Sequence, residues 1–210
     1  MLKEYHKIET IYKRDENTKK LNENEFRNET VEFLKNNEWE FTEKIDGTNI
    51  RIYWDGHKVQ YFGRTDKAQI PSQLMNFLIE KFGGDTNEEM FEQMFGEKEV
   101  TLIGEGYGAK IQAVGGDYRS DNSFALFDVI IDDIYLSRES VQSIANALNI
   151  ETVPVVFYGD LQKGIDYVKT KPNSLIGTAK SEGLVARPKQ ELLDRLGNRI
   201  IVKIKVRDFE

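Results

Sequence analysis

An α+β fold built on mainly antiparallel sheets is what this sequence predicts, on three observations. Short runs rich in β-branched and aromatic residues recur from one end to the other, among them Trp39-Glu40-Phe41-Thr42 and Ile200-Ile201-Val202-Lys203-Ile204. Two of the early runs flank Asp55-Gly56, a dipeptide suited to a tight antiparallel hairpin. Segments with apolar residues at helical spacing are interleaved with these runs, and the chain has neither repeats nor low-complexity tracts.

Taken in order, residues 21–36 are polar and charged and read as a short helix plus loop. Strands at 39–44, 49–54 and 58–63 make the antiparallel start. Residues 71–82 form a helix with Leu74, Phe77 and Leu78 on one side, Pro71 in the opening turn and Gly83-Gly84 past the end. A second helix, 87–95, turns Met90, Phe91 and Met94 inward as core. The apolar run 100–103 closes on Gly104-Glu105-Gly106-Tyr107-Gly108, Gly115-Gly116 reads as a loop, and 124–130 is a strand. Ser137 caps a third helix, 137–148, whose Val141, Ile144, Ala145 and Leu148 point inward. Residues 152–158 read as one edge strand that tolerates Pro154, and 161–168 as a fourth helix. Strands at 181–187 and 200–206 finish the chain. Alternation in the latter puts Lys203 and Lys205 on the same face.

At 210 residues the chain is long enough for a well-packed core, with one domain as the default and two small ones also compatible. It has no cysteine, which removes disulfides and thiolate metal sites. No apolar stretch approaches a membrane span, and the start is too charged for a signal peptide, so a cytoplasmic protein is expected. The net charge of −7 argues at first against a nucleic-acid partner, but its distribution matters more. Acidic residues crowd the first half. The tail carries Arg187, Lys189, Arg195, Arg199, Lys203, Lys205 and Arg207 and offers one basic face. His6 and His57 have no ligand partners at useful spacing and are expected at the surface.

Lys44 is the leading candidate for chemistry. It ends a strand-like run and opens Lys44-Ile45-Asp46-Gly47-Thr48-Asn49. A lysine so placed can attack a nucleotide phosphate covalently if neighbouring cations or desolvation let it lose its proton. On its own it reads better as a surface lysine before an Asp-Gly turn. The order of the downstream residues changes that: Arg64 after Gly63, Glu105 among glycines, Phe127-Asp128 in a strand, Glu182-Gly183, then Lys203 and Lys205. Asp128 reads equally as a residue bonded to nearby backbone.

In this order of motifs the chain resembles the covalent nucleotidyltransferases, the superfamily of polynucleotide ligases and mRNA capping enzymes. Within it the chain is most similar to the phage-type RNA ligase 2 family. The resemblance runs from Met1-Leu2-Lys3-Glu4-Tyr5 to Lys205, with its finest marks in EKIDGTN around Lys44, GEGYGAKIQ from Gly104 to Gln112, EGLVARP from Glu182, and LGNRIIVKIK. Asn49 after Gly-Thr favours that family over DNA ligases, which usually carry an arginine near there. Asp46 departs from some close relatives, which have His.

The resemblance implies the nucleotidyltransferase fold, two mainly antiparallel sheets flanked by helices. Residues 1–210 would be a single adenylyltransferase domain without an appended oligonucleotide-binding barrel or C-terminal helical domain, either a minimal ligase or a catalytic domain cut from something longer. It also implies an ATP-dependent RNA ligase. Lys44 takes AMP from ATP, AMP passes to a 5′-phosphate, and a 3′-hydroxyl displaces it. Lys203, Lys205 and Arg64 would be the cations for the α-phosphate and the polynucleotide end. Glu105 and Glu182 would hold hydrated Mg²⁺, with Mn²⁺ also suited, and Glu105 would contact the ribose. Phe127 would stack on adenine, the backbone at Glu43 would read its amine, and Asn49 would meet the 5′-phosphate or leaving group. The expected partners are RNA ends in nicked or splinted duplex, met by a monomer. A DNA-sealing ligase, a GTP-using capping enzyme and a non-sealing nucleotide binder are the competing functions.

Overall fold

The computed structural model describes residues 4–210, so Met1-Leu2-Lys3 of the opening motif lies outside the described residues. In chain order the strands and helices begin with β1 (Glu9–Thr10), β2 (Tyr12–Arg14), β3 (Leu21–Phe26), α1 (Glu29–Phe33), β4 (Trp39–Glu43), β5 (Thr48–Trp54) and β6 (Val59–Gly63). Next come α2 (Ser72–Phe82), α3 (Asp85–Phe95), β7 (Val100–Gly108), α4 (Gly115–Tyr118), β8 (Asn122–Ile131), β9 (Ile134–Tyr135) and α5 (Arg138–Ala147). The chain closes with β10 (Glu151–Thr152), β11 (Val155–Gly159), α6 (Leu161–Lys169), β12 (Gly183–Pro188), β13 (Val202–Lys205) and a 3₁₀ turn, Val206–Phe209. The expected α+β class holds, with sheets that are antiparallel except for the β1–β13 and β10–β8 pairs.

The chain divides into two compact units. One runs Asp46–Val153 and includes Tyr5. Its sheet has the order β10-β8-β7-β5-β6, with β9 paired to β8. Ile50, Ile52 and Trp54 of β5 alternate into a core with Leu74 and Leu78 of α2, Phe91 of α3, and Val141 and Ala145 of α5. Ser137 caps α5 as expected, accepting from the Ser140 amide at 3.3 Å. The Asp55-Gly56 turn is present, with Oδ1 of Asp55 accepting from the amides of His57 and Lys58.

The second unit comprises His6–Ile45 and Pro154–Glu210. Its sheet has the order β1-β13-β12-β4-β11. Trp39 and Phe41 of β4 pack with Leu161, Ile165 and Val168 of α6 and with Leu184, Ala186, Val202 and Ile204. Asp160 caps α6 by accepting from the Lys163 amide at 2.8 Å. Gly164 lets α6 lie directly on the Phe41 ring, which occupies the space a Cβ would need. Gly164→Ala is therefore expected to destabilise the protein by about 1–3 kcal/mol through overpacking beneath the strand that ends at Glu43. A shift in the urea midpoint at constant slope checks this.

Four expectations about elements need correction. Residues 21–26 of the expected helix-plus-loop are β3, because pairing with β2 and the ring contact of Phe26 with Tyr12, 4.9 Å between centroids, outweigh a sequence with little strand propensity. The expected strand 152–158 is two strands in different units, broken at Val153-Pro154. Gly115-Gly116 opens a one-turn helix rather than a loop. The 100–103 strand runs on through Gly108, so Glu105 stands within a strand, opposite Asn49 and Ala125.

Candidate active site

Three strand ends in the second unit bring charge together. The Lys44 amide donates to Gly183 O at 2.9 Å, continuing the β4–β12 ladder by one residue, and on the far side of β12 Gly183 stands in register with Lys205. The Val206 amide donates to Glu182 O at 3.0 Å. Gly183 has φ +147, and a Cβ there would run into the Ile204 carbonyl, so the Glu-Gly step requires glycine. It places the Glu182 carboxylate between the two lysines. Lys44 Nζ donates to Glu182 Oε2 at 2.6 Å, and Lys205 Nζ donates to Glu182 Oε1. All three side chains are mostly buried.

Burial pushes the Glu182 carboxyl upward, but the ammonium groups of Lys44 and Lys205 outweigh it and hold the group below the usual carboxylate range. Lys203 follows the alternation of β13, flanked by buried Val202 and Ile204. Burial first, then Lys205, Lys44 and Lys7, depress its pKa, with Glu9 opposing them. Its protonated form thus opposes folding at neutral pH, a cost that disappears as pH rises through the ordinary lysine range. A partly desolvated amine cluster with one carboxylate is an anion site able to take a phosphate and to place a nucleophilic amine against it.

Glu43 does more than its backbone was expected to do. Its carboxylate is buried and accepts from Ser174 Oγ and, at 2.8 Å, from the Leu175 amide, tying residues 174–175 to the end of β4. The basic tail is less available than its composition suggested. Arg187 is buried beside Glu40, Lys189 Nζ lies 2.8 Å from Glu38, and Arg199 is ion-paired with Glu191.

The remaining candidates lie in the Asp46–Val153 unit. Asn49 and Glu105 are register partners on β5 and β7. Asn49 Oδ1 is a buried acceptor with no hydrogen-bond partner among the described residues, a costly state that a ligand or water donor would relieve. Phe127 is half-buried with Tyr5 5.5 Å away between ring centroids, and the Tyr5 hydroxyl donates to buried Asp128 at 2.7 Å. Arg64 is exposed just past β6. The Asp46 amide donates to the Tyr118 hydroxyl at 3.2 Å, and Gln112 Nε2 donates to Gly47 O at 2.9 Å, so residues 112–118 hold the Asp46-Gly47 turn. Ser174 and Tyr118 carried no local signal that would have singled them out, and Tyr5 stood out only as part of the opening motif. His6 and His57 are exposed, as expected. Among the described residues, no three His, Cys, Asp or Glu side chains gather into a metal cage.

A sequence profile of the RNA ligase family matches residues 37–205, four-fifths of the chain and every motif from Lys44 to Lys205. The chain belongs to the RNA ligase family. Solved structures of a Naegleria gruberi RNA ligase share the fold of this RNA ligase family member. One variant, with AMP and Mn, has a TM-score of 0.64 at 20% identity and covers 86% of this chain and 53% of that one. Another, with ATP and Mn, has a TM-score of 0.63 at 21% identity, covering 84% and 52%. The same ligase with PPi has a TM-score of 0.62 at 21% identity, covering 86% and 52%. This RNA ligase family chain thus spans about half the length of those structures. No curated protein matches it significantly in sequence. None of its helices among the described residues is long and apolar enough to cross a membrane.

Proposed function

We propose that residues 1–210 act as one adenylyltransferase domain of an ATP-dependent RNA ligase of the phage-type RNA ligase 2 group. It joins a 3′-hydroxyl to a 5′-phosphate by way of lysyl-AMP on Lys44 and an adenylylated 5′ end. The observation that carries this reading is the Lys44–Glu182–Lys205 cluster, in which the motif lysine is partly desolvated and one carboxylate serves two ammonium groups. In the first step Lys44 Nζ, after its ammonium proton is released to solvent, bonds to the α-phosphorus as the bond from that phosphorus to the bridging oxygen breaks; pyrophosphate leaves, and the surplus N–H proton of the new phosphoramidate is lost to solvent. Positioning and charge neutralisation supply most of the catalysis of such an in-line displacement.

Lys203, Lys205 and Arg64 neutralise the α-phosphate and the RNA end. The backbone at Glu43 and the ring of Phe127 take the adenine, Glu105 takes the ribose, and Asn49 takes the 5′-phosphate or leaving group. Glu105 and Glu182 would hold Mg²⁺ or Mn²⁺ through its water shell, since such an ion uses few protein oxygens. When bound, the ion supplies charge neutralisation at the phosphates. The partners are nicked or splinted RNA ends, met by a cytoplasmic monomer.

Intact-mass measurement after incubation with ATP or GTP and Mg²⁺ tests the reading. A gain of one AMP is expected with ATP and none with GTP. A GMP adduct would select a capping-type reaction, and no adduct would select a nucleotide-binding relative. End-joining on matched RNA and DNA nicks separates RNA from DNA sealing.

A further inference from the structure

Arg51 belongs to none of the motifs that mark the family, yet its side chain is fully buried in the middle of β5. A guanidinium keeps its charge at any pH the protein survives, so its donors need fixed acceptors. It finds them in the segment just past β6. Arg51 Nε donates to Gly63 O at 2.8 Å, and Nη2 donates to Asp66 Oδ1 at 2.7 Å. The group also lies 5.5 Å from the centre of the Phe62 ring.

Gly63 and Asp66 bracket Arg64-Thr65. The Ala68 amide donates to Thr65 O at 3.1 Å, closing the segment on itself. The Asp66 side chain is 60% exposed while that of Arg51 is fully enclosed, so it is the surface segment that is fastened to the strand. Arg64 therefore projects into solvent from a turn held on both flanks by one buried cation. A long side chain on a fixed base loses less freedom when it meets a phosphate than one on a mobile loop.

We propose that Arg51, through Gly63 and Asp66, is a positioning residue that fixes Arg64 for the 5′-phosphate end. The proposal rests on the assignment of Arg64 to the RNA end under the proposed function. It is tested by single-turnover sealing of a 5′-phosphate RNA nick by the full chain charged with AMP, read as rate against RNA concentration. Arg64→Ala is expected to lower the sealing rate about 100-fold, as for loss of a preorganised phosphate ligand. Asp66→Ala, which frees one flank of the turn, is expected to lower it about 10-fold, together with a fall in melting temperature because the buried Arg51 loses its carboxylate. In the Arg64→Ala background, Asp66→Ala should change the rate by less than about twofold, because there is nothing left to position. Asp66→Asn keeps the acceptor oxygen and should show a smaller loss in the same non-additive pattern, even if the alanine variant folds poorly.

Sealing at the unaltered rate by both Asp66 variants would overturn the proposal, and so would losses that multiply in full with that of Arg64→Ala. Either result leaves Arg64 in place as a phosphate ligand. If Arg64→Ala itself seals at the unaltered rate, the assignment of Arg64 is wrong and the proposal falls with it.

Discussion

Lys44→Ala is expected to take up no AMP while remaining folded. On the proposed mechanism Lys44 is the attacking nitrogen, and its two neighbours are placed differently: Lys205 on the second oxygen of Glu182, and Lys203 two residues back along β13. Removing the Lys44 side chain leaves Glu182 with Lys205 as its partner, so no orphaned charge results and the stability change should stay within about 1 kcal/mol. Lys44→Arg should fail as completely, since a guanidinium keeps its proton and has no free electron pair for phosphorus. Intact mass, peptide mapping and a melting curve check all three statements. An AMP adduct on another lysine would show that the nucleophile has been misassigned.

Glu182→Ala is expected to slow lysyl-AMP formation by about 100- to 1,000-fold, the range for loss of a preorganised electrostatic group. The variant leaves Lys44 and Lys205 without the carboxylate that holds them in register, so Lys44 loses both its orientation and its counter-charge. Glu182→Gln separates the two effects, because it keeps hydrogen-bonding oxygen and shape but not charge.

Stability should follow with a definite sign. The folded pKa of Glu182 is depressed, so its contribution is complete above the ordinary glutamate value near 4.5 and is lost as pH falls through the lower folded value. Urea midpoints of the protein and of Glu182→Gln should therefore converge as pH is taken from 7 to below about 4. A gap that stays constant over that range would show that the carboxylate is not ion-paired in solution.

The members of the Lys44–Glu182–Lys205 cluster were legible as candidate residues because they sit at strand ends, where period-two alternation and glycine punctuation are strongest. Trp39 and Phe41 point to the core and β4 ends at Glu43, just before Lys44; Val202 and Ile204 are buried, so Lys203 and Lys205 share the other face. Features decided by distant partners were not legible. Nothing local in Leu21-Asn22-Glu23-Asn24-Glu25-Phe26 asks for a strand; the pairing with β2 does. The alternation in β5 put Ile50 and Ile52 inward and left Arg51 facing away from that core, but its enclosure depends on Phe62 and Asp66 in the following strand and turn. Glu43 likewise read as a backbone position, since the loop that claims its carboxylate lies more than 130 residues further on.

The strand that carries Lys203 and Lys205 is hydrogen-bonded on one side to residues 9–10 and on the other to β12. During synthesis the Asp46–Val153 unit, nearly continuous in sequence, has most of its chain available once residue 153 has left the ribosome. The unit that holds Lys44 must wait for residues 202–205, almost 200 positions after the strand they join. Until that late, long-range closure, Lys44 lacks Lys205, and Glu182 lacks half of its charge balance. An incomplete nascent chain thus lacks the closed Lys44–Glu182–Lys205 cluster until its last strand is in place.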